Sequence, residues 1–279
     1  MGNKSKQARR AARQALKSKS RILGYEIDTI IVDELASAAP ALPPKPKRDT
    51  SPIEARNEAQ AHYLISLDSK ALTFATGEAG CGKTFLATAV AAQRLLDKEV
   101  ERIIVTRPVL QAEEDLGFLP GDIAEKFAPF FRPVYDVLQK RLGASFLEYC
   151  LKPEVAKVEI APFAYMRGRT FENAVVILDE AQNVTASQMK MFLTRIGFGS
   201  KVVITGDSTQ KDLPSGQISG LDVAINVVRN IDDIAICRLT SKDVVRHPLV
   251  QKIVKAYEEY EQKSASHKKS KNTDRRKRG

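Results

Sequence analysis

"ALTFATGEAGCGKTFLA", residues 71–87, is the stretch on which the fold turns. Residues 71–76 are largely apolar and read as a strand, and three glycines follow within the next six residues. From Lys83 to about Asp97 apolar residues recur at helical spacing. Gly, four residues, then Gly-Lys-Thr between a strand and a helix is the pattern of a phosphate-binding loop. Gly77, Gly80 and Gly82 can turn their N–H groups toward an anion at positive φ, and the helix N-terminus behind them adds partial positive charge. Lys83 is expected to pair with the β- and γ-phosphates and the Thr84 hydroxyl to hold Mg²⁺. The alternative is an ordinary glycine turn ahead of a helix. Cys81 lies at that helix N-terminus beside Lys83, where a lowered thiol pKa and a reactive thiolate are expected.

A second stretch, "NAVVILDEAQN" (173–183), has a continuous apolar run that ends in two adjacent carboxylates. Such a run reads as a strand buried on both faces in a parallel sheet. Like charges at the edge of a dry core repel and lose solvation, so a cation is expected beside them. Asp179 would hold Mg²⁺ opposite Thr84, and Glu180 would take the proton from a water attacking the γ-phosphate. A third strand, 201–205, runs into "GDSTQ" (206–210), where Gln210 is placed to bond both that water and the phosphate. With "RIIVT" (102–106) and "DIAICRL" (233–239), these strands alternate with helical stretches, which predicts a doubly wound α/β fold with a mainly parallel sheet flanked by helices. "EARNEAQAHYLISLD" (54–68) has helical spacing ahead of the first strand.

At 279 residues and 43% hydrophobic, the chain can bury one large core. No apolar run is long enough to span a membrane, and the basic N-terminus lacks the apolar stretch of a secretory signal. Cys81, Cys150 and Cys237 have neither metal-ligand nor disulfide-framework spacing, which predicts a cytoplasmic setting. The net charge is +10, but residues 1–22 hold eight Lys or Arg and no acid, and residues 263–279 hold eight against Asp274 alone. The body between them is therefore net acidic. The tails read either as solubilising disorder or as sequence-independent attraction to phosphate backbones. Segment 38–48 is a Pro-rich linker, and residues 25–36 suit either a short strand or a partner-binding segment. The expected organisation is a basic tail and linker over 1–50, an ATPase domain over 51–262 and a basic tail over 263–279.

Together "GEAGCGKTFLA", "TRPV", "LGFLPGD", "RPVYD", "MRGRTFENAVVILDEAQN", "MFLTRIGFGSKVVITGD" and "VVRHPLVQKIV" resemble the PhoH-like P-loop ATPases over about residues 55–260. That family's loop usually reads Gly-Pro-Ala-Gly-Thr-Gly-Lys-Thr; here Glu78 replaces the proline and Cys81 the threonine. The resemblance implies a RecA-like, helicase-related core and a ring-like, often hexameric homo-oligomer. Nucleotide contact is expected at Gly77, Glu78, Ala79, Gly80, Cys81, Gly82, Lys83, Thr84 and Phe85. It is also expected at Gln60, where related ATPases place a glutamine that reads adenine; a surface helix glutamine is the alternative.

Arg107 follows the second strand, where helicase-like ATPases touch single-stranded nucleic acid; a structural salt bridge is the alternative. Arg167 and Arg169 flank a glycine and suit bidentate phosphate contact or a subunit contact. Arg246 resembles the late arginine that reaches the γ-phosphate, and Arg195 is the candidate from a neighbouring subunit. Two functions share all these residues. One is an ATP- and Mg²⁺-dependent motor on RNA or single-stranded DNA, the other a slow nucleotide-switched binding or adaptor protein.

Overall fold

The computed structural model describes residues 48–108, 123–214 and 217–244, with positions 14, 249, 250, 253, 256 and 257, and only the backbone of 123–128 and 241. The segment 25–36, residues 117–122 of the "LGFLPGD" motif, Arg246 and, apart from position 14, the basic tails lie outside the described residues.

The elements, in chain order, are α1 (Glu58–Ser69), β1 (Leu72–Thr76), α2 (Lys83–Leu96), β2 (Arg102–Arg107), α3 (Ile123–Leu142), α4 (Ala144–Cys150), β3 (Val158–Pro162), β4 (Ala174–Leu178), α5 (Ala186–Leu193), β5 (Lys201–Gly206), α6 (Gly220–Val228) and β6 (Ile234–Arg238). The strands form one sheet in the order β3-β2-β4-β5-β1-β6, and every described pair is parallel. It is a RecA-like α/β core in which β5 lies between the strand of the phosphate loop and the strand of the paired carboxylates.

Alternation along β4 explains why its apolar run is unbroken. Val175 and Ile177 enter one core with residues of α1, α2, α3 and α4. Ala174, Val176 and Leu178 enter the other with residues of α5 and α6. All five are buried, so each face of the strand meets a helical layer and neither needs polar residues.

Local chemistry adjusts the expected boundaries. α1 starts at Glu58 rather than at 54, because the Asn57 side chain accepts the Gln60 N–H and caps the helix. β3 was not anticipated, since Glu159 interrupts its apolar pattern. That carboxylate is neutralised by a bidentate pair with Arg169, whose guanidinium lies 5.9 Å from the centre of the Phe171 ring. Among the described residues no helix is long and apolar enough to cross a membrane.

Candidate nucleotide site

The site lies at the C-terminal ends of β1, β4 and β5, where the chain leaves the sheet in turns. Gly77, Gly80 and Gly82 all have positive φ. At Gly77 (φ +144°) glycine is also required sterically, because a Cβ there would sit 2.0 Å from the Leu239 carbonyl oxygen. The Gly77 N–H donates to Gly206 O at 3.2 Å, so the loop begins anchored to the end of β5.

Lys83 Nζ turns back onto the loop, donating to Gly77 O at 2.6 Å and Glu78 O at 2.8 Å. An ammonium held by neutral carbonyls is ready for exchange onto an anion, a much stronger acceptor. Thr84 Oγ1 donates to Asp179 Oδ1 at 2.7 Å, and Thr205 Oγ1, from β5, donates to the same oxygen at 2.5 Å. Asp179 is 8% exposed. Ala79, Gly80, Gly82, Lys83, Thr84, Phe85, Asp179, Glu180, Gly206, Asp207 and Gln210 line one cleft of about 250 Å³. Asp207 Oδ2 is buried there without a hydrogen-bond partner among the described residues. A hydroxyl and carboxylates converging on one cleft, with one carboxylate oxygen awaiting a donor, fit a hard, partly hydrated cation such as Mg²⁺.

Glu180 stands at the mouth of the cleft in the left-handed backbone region (φ 54°, ψ 38°). Gln182 Nε2 donates to its Oε2 at 2.5 Å, and Arg107 Nη2 lies 3.5 Å from its Oε1. The same Gln182 side chain accepts the Asp207 N–H at 3.0 Å. Arg107 Nη1 also donates to Phe130 O at 3.1 Å. Gln182 and Asp207 were not singled out from sequence. What joins them is the adjacency of β4 and β5, which motif spacing does not reveal.

Other expected residues sit as follows. Gln60 is 4% exposed, with Nε2 donating to Cys81 O at 3.0 Å and Oε1 accepting the Arg56 N–H at 3.0 Å. In this arrangement it braces the phosphate loop. Arg167 is exposed, whereas Arg169 is held by Glu159. Arg195 follows α5 at the opposite end of the sheet, where its carbonyl accepts the Phe171 N–H just ahead of β4, and it does not line the cleft of its own chain. Arg246 lies outside the described residues.

The reactive thiol expected at Cys81 is not found. Its side chain is 0% exposed, its Sγ donates to Glu78 O at 2.8 Å, and burial pushes its pKa up despite Lys83 nearby. Desolvation of the buried thiol outweighs the Lys83 ammonium, whose Nζ lies 3.7 Å from the Cys81 Sγ.

Residues 52–258 match the family described as PhoH-like protein. The chain belongs to the PhoH-like family. It is 68% identical over 210 residues to the protein PhoH of Escherichia coli, covering 75% of this chain and 59% of that one. To the PhoH-like protein of a Synechocystis species it is 51% identical over 212 residues, covering 76% of this chain and 64% of that one. It thus spans about 60% of the length of these PhoH-like relatives. Among solved structures it is similar to the large terminase of a thermophilic bacteriophage, with a TM-score of 0.46 and 14% identity over 71% of this chain and 49% of that one. Family and topology together make this PhoH-like chain a P-loop NTPase.

Proposed function

We propose that the chain is a Mg²⁺-dependent ATPase that couples hydrolysis to binding RNA or single-stranded DNA. The observation that carries this is the meeting of Lys83 and Thr84 with Asp179 and Glu180 in one cleft, across β5. The loop N–H groups and Lys83 would hold the phosphates, with Phe85 and Gln60 beside the nucleotide. Mg²⁺, held by Thr84 and Asp179, supplies charge neutralisation on the phosphate oxygens when bound. Glu180 takes a proton from water as the water oxygen bonds to the γ-phosphorus. The bond from that phosphorus to the β–γ bridging oxygen breaks, and ADP leaves with the bond's electron pair. Gln210, on the cleft wall, is suited to orient the water.

Nucleic acid is assigned to the exposed Arg167, to Arg107 beside Glu180 and to the basic tails, which add a salt-dependent, sequence-independent attraction. Arg169, held by Glu159, contributes once that pair is exchanged for phosphate. A homo-oligomeric ring, as a hexamer, would let Arg195 of one subunit or Arg246 serve the γ-phosphate of a cleft. Domain limits of 51–262 with basic extensions suit this reading. Three free cysteines suit the cytoplasm.

The adaptor reading, slow hydrolysis without movement, is favoured by one observation: both Glu180 carboxylate oxygens are engaged, by Arg107 and by Gln182. Steady-state ATPase assays with and without homopolymeric RNA or single-stranded DNA, followed by duplex displacement, test both. Stimulation with displacement supports the motor, and stimulation alone the switch. No hydrolysis in either condition would overturn the proposal.

A further inference from the structure

We infer that Gln182 and Arg107 are opposed positioning residues for Glu180, Gln182 fixing the carboxylate for catalysis and Arg107 restraining it until nucleic acid arrives. The inference rests on the ATPase reading above and adds a means of regulation to the same site.

Glu180 holds the left-handed conformation that side chains other than Gly, Asn and Asp seldom adopt, at a cost that surrounding structure must offset. The offset comes from Gln182, which is 1% exposed. Its amide spans two strand ends, with Nε2 on Glu180 at 2.5 Å and Oε1 on the Asp207 N–H at 3.0 Å. Both ends of the amide are thereby spent, so its orientation is fixed. Gly206 keeps this bridge possible, because a Cβ there would lie 2.9 Å from Gln182 Oε1 and 2.6 Å from Leu221 Cδ2. The base is thus referenced to β5, the strand that also carries Thr205 onto Asp179.

Arg107 acts on the other oxygen. At 3.5 Å its contact is long and partly open, with side-chain exposures of 27% and 33% for the pair. Among the described residues its second nitrogen holds a backbone carbonyl, Phe130 O. Held by one long, single contact to a carboxylate and one carbonyl, the guanidinium can move onto a phosphodiester, whose two oxygens offer a bidentate contact. Moving Arg107 onto phosphate leaves Glu180 Oε1 free to accept the water proton while Gln182 keeps the carboxylate in place. The cation that meets nucleic acid is then the one that releases the base.

The test is ATP turnover by the full chain with and without poly(U), together with affinity for a fluorescent ATP analogue and thermal melting. Arg107→Gln should raise turnover without RNA about two- to fivefold, the range a partly exposed ion pair supplies. The response to poly(U) should fall in proportion. Gln182→Glu keeps the acceptor for the Asp207 N–H but turns a carboxylate toward Glu180. It should lower kcat by about tenfold or more, the scale of a misplaced catalytic group, with KM for ATP within about threefold. Gln182→Met, similar in volume and without a donor, should behave alike and stands in should the glutamate variant fail to fold. Unchanged or reduced RNA-free turnover in Arg107→Gln, or kcat retained in both Gln182 variants, would overturn the inference. Failure of the ATPase reading itself would appear separately, as absence of turnover in the unaltered protein.

Discussion

Thr84 Oγ1 donates to Asp179 Oδ1 at 2.7 Å, joining two points 95 residues apart in the chain. The contact closes the floor of the cleft and sets where a divalent ion would be held. Asp179→Asn keeps an oxygen for Thr84 and Thr205 but removes the charge. The fold should survive, and the gain in affinity for a fluorescent ATP analogue on adding Mg²⁺ should shrink by about tenfold or more. Parallel titrations with Mg²⁺ and with EDTA measure it. An equal Mg²⁺ gain in both proteins would remove Asp179 from the metal site.

Binding and turnover should separate between the two ends of the cleft. Lys83→Ala should lose both, since no other described side chain offers the loop a cation. Glu180→Gln should bind ATP and turn it over at least about 10²-fold more slowly, as expected when a general base is removed. Full-rate hydrolysis by Glu180→Gln in a coupled assay would end its role as base.

The thiols give a pH prediction. Burial pushes the pKa values of Cys81, Cys150 and Cys237 above the ordinary 9.0. As pH rises past the unfolded-state value, the unfolded chain releases these protons and the folded chain keeps them. Stability contributed below that value is therefore lost as pH climbs toward the folded values. The melting temperature should fall from pH 8 upward, and fall less steeply in a variant with all three cysteines changed to Ala. Maleimide should label Cys81 only after denaturant is added, and rapid labelling of the native protein would contradict its burial.

Gly77→Ala should be costly although only a methyl is added. The new Cβ would meet the Leu239 carbonyl at 2.0 Å in a backbone region that alanine resists. A loss of more than about 1 kcal/mol is expected from urea unfolding, with nucleotide affinity falling alongside. A variant with both properties unaltered would show that the loop start is free to shift.

Much of this was readable from residue order. The glycine spacing at 77–82 and the apolar run of β4 are local signals, and each encodes its own element. The bridge through Gln182 is not local: it exists because β5 rather than β1 neighbours β4, and strand order is decided by the whole core. β3 was hidden for a similar reason. Glu159 breaks its pattern and becomes tolerable only through Arg169, ten residues away in sequence. Arg107 illustrates the limit of motif reading, since both of its expected roles, salt bridge and phosphate contact, fit one side chain at the end of β2.

Deleting residues 1–22 and 263–279 removes sixteen cations from a net acidic body. If about five of them meet phosphates, the salt dependence of single-strand binding should flatten by some three to four units in log–log slope. Hydrolysis without nucleic acid should stay within about twofold, because both deletions leave the family-matched residues 52–258 intact. Fluorescent oligonucleotide titrations at several salt concentrations compare the two proteins, and equal slopes would assign binding to the core alone.

Because β5 stands between β1 and β4, no rung of the sheet links the phosphate loop to Asp179 until the chain has been made as far as Gly206. A chain still emerging from the ribosome can form the glycine turn and α2 early, yet has nothing to set Thr84 against Asp179. Under the proposed function, nucleotide would therefore stabilise this protein only late in synthesis. Premature termination before β5 yields a fragment with an intact loop motif and no cleft.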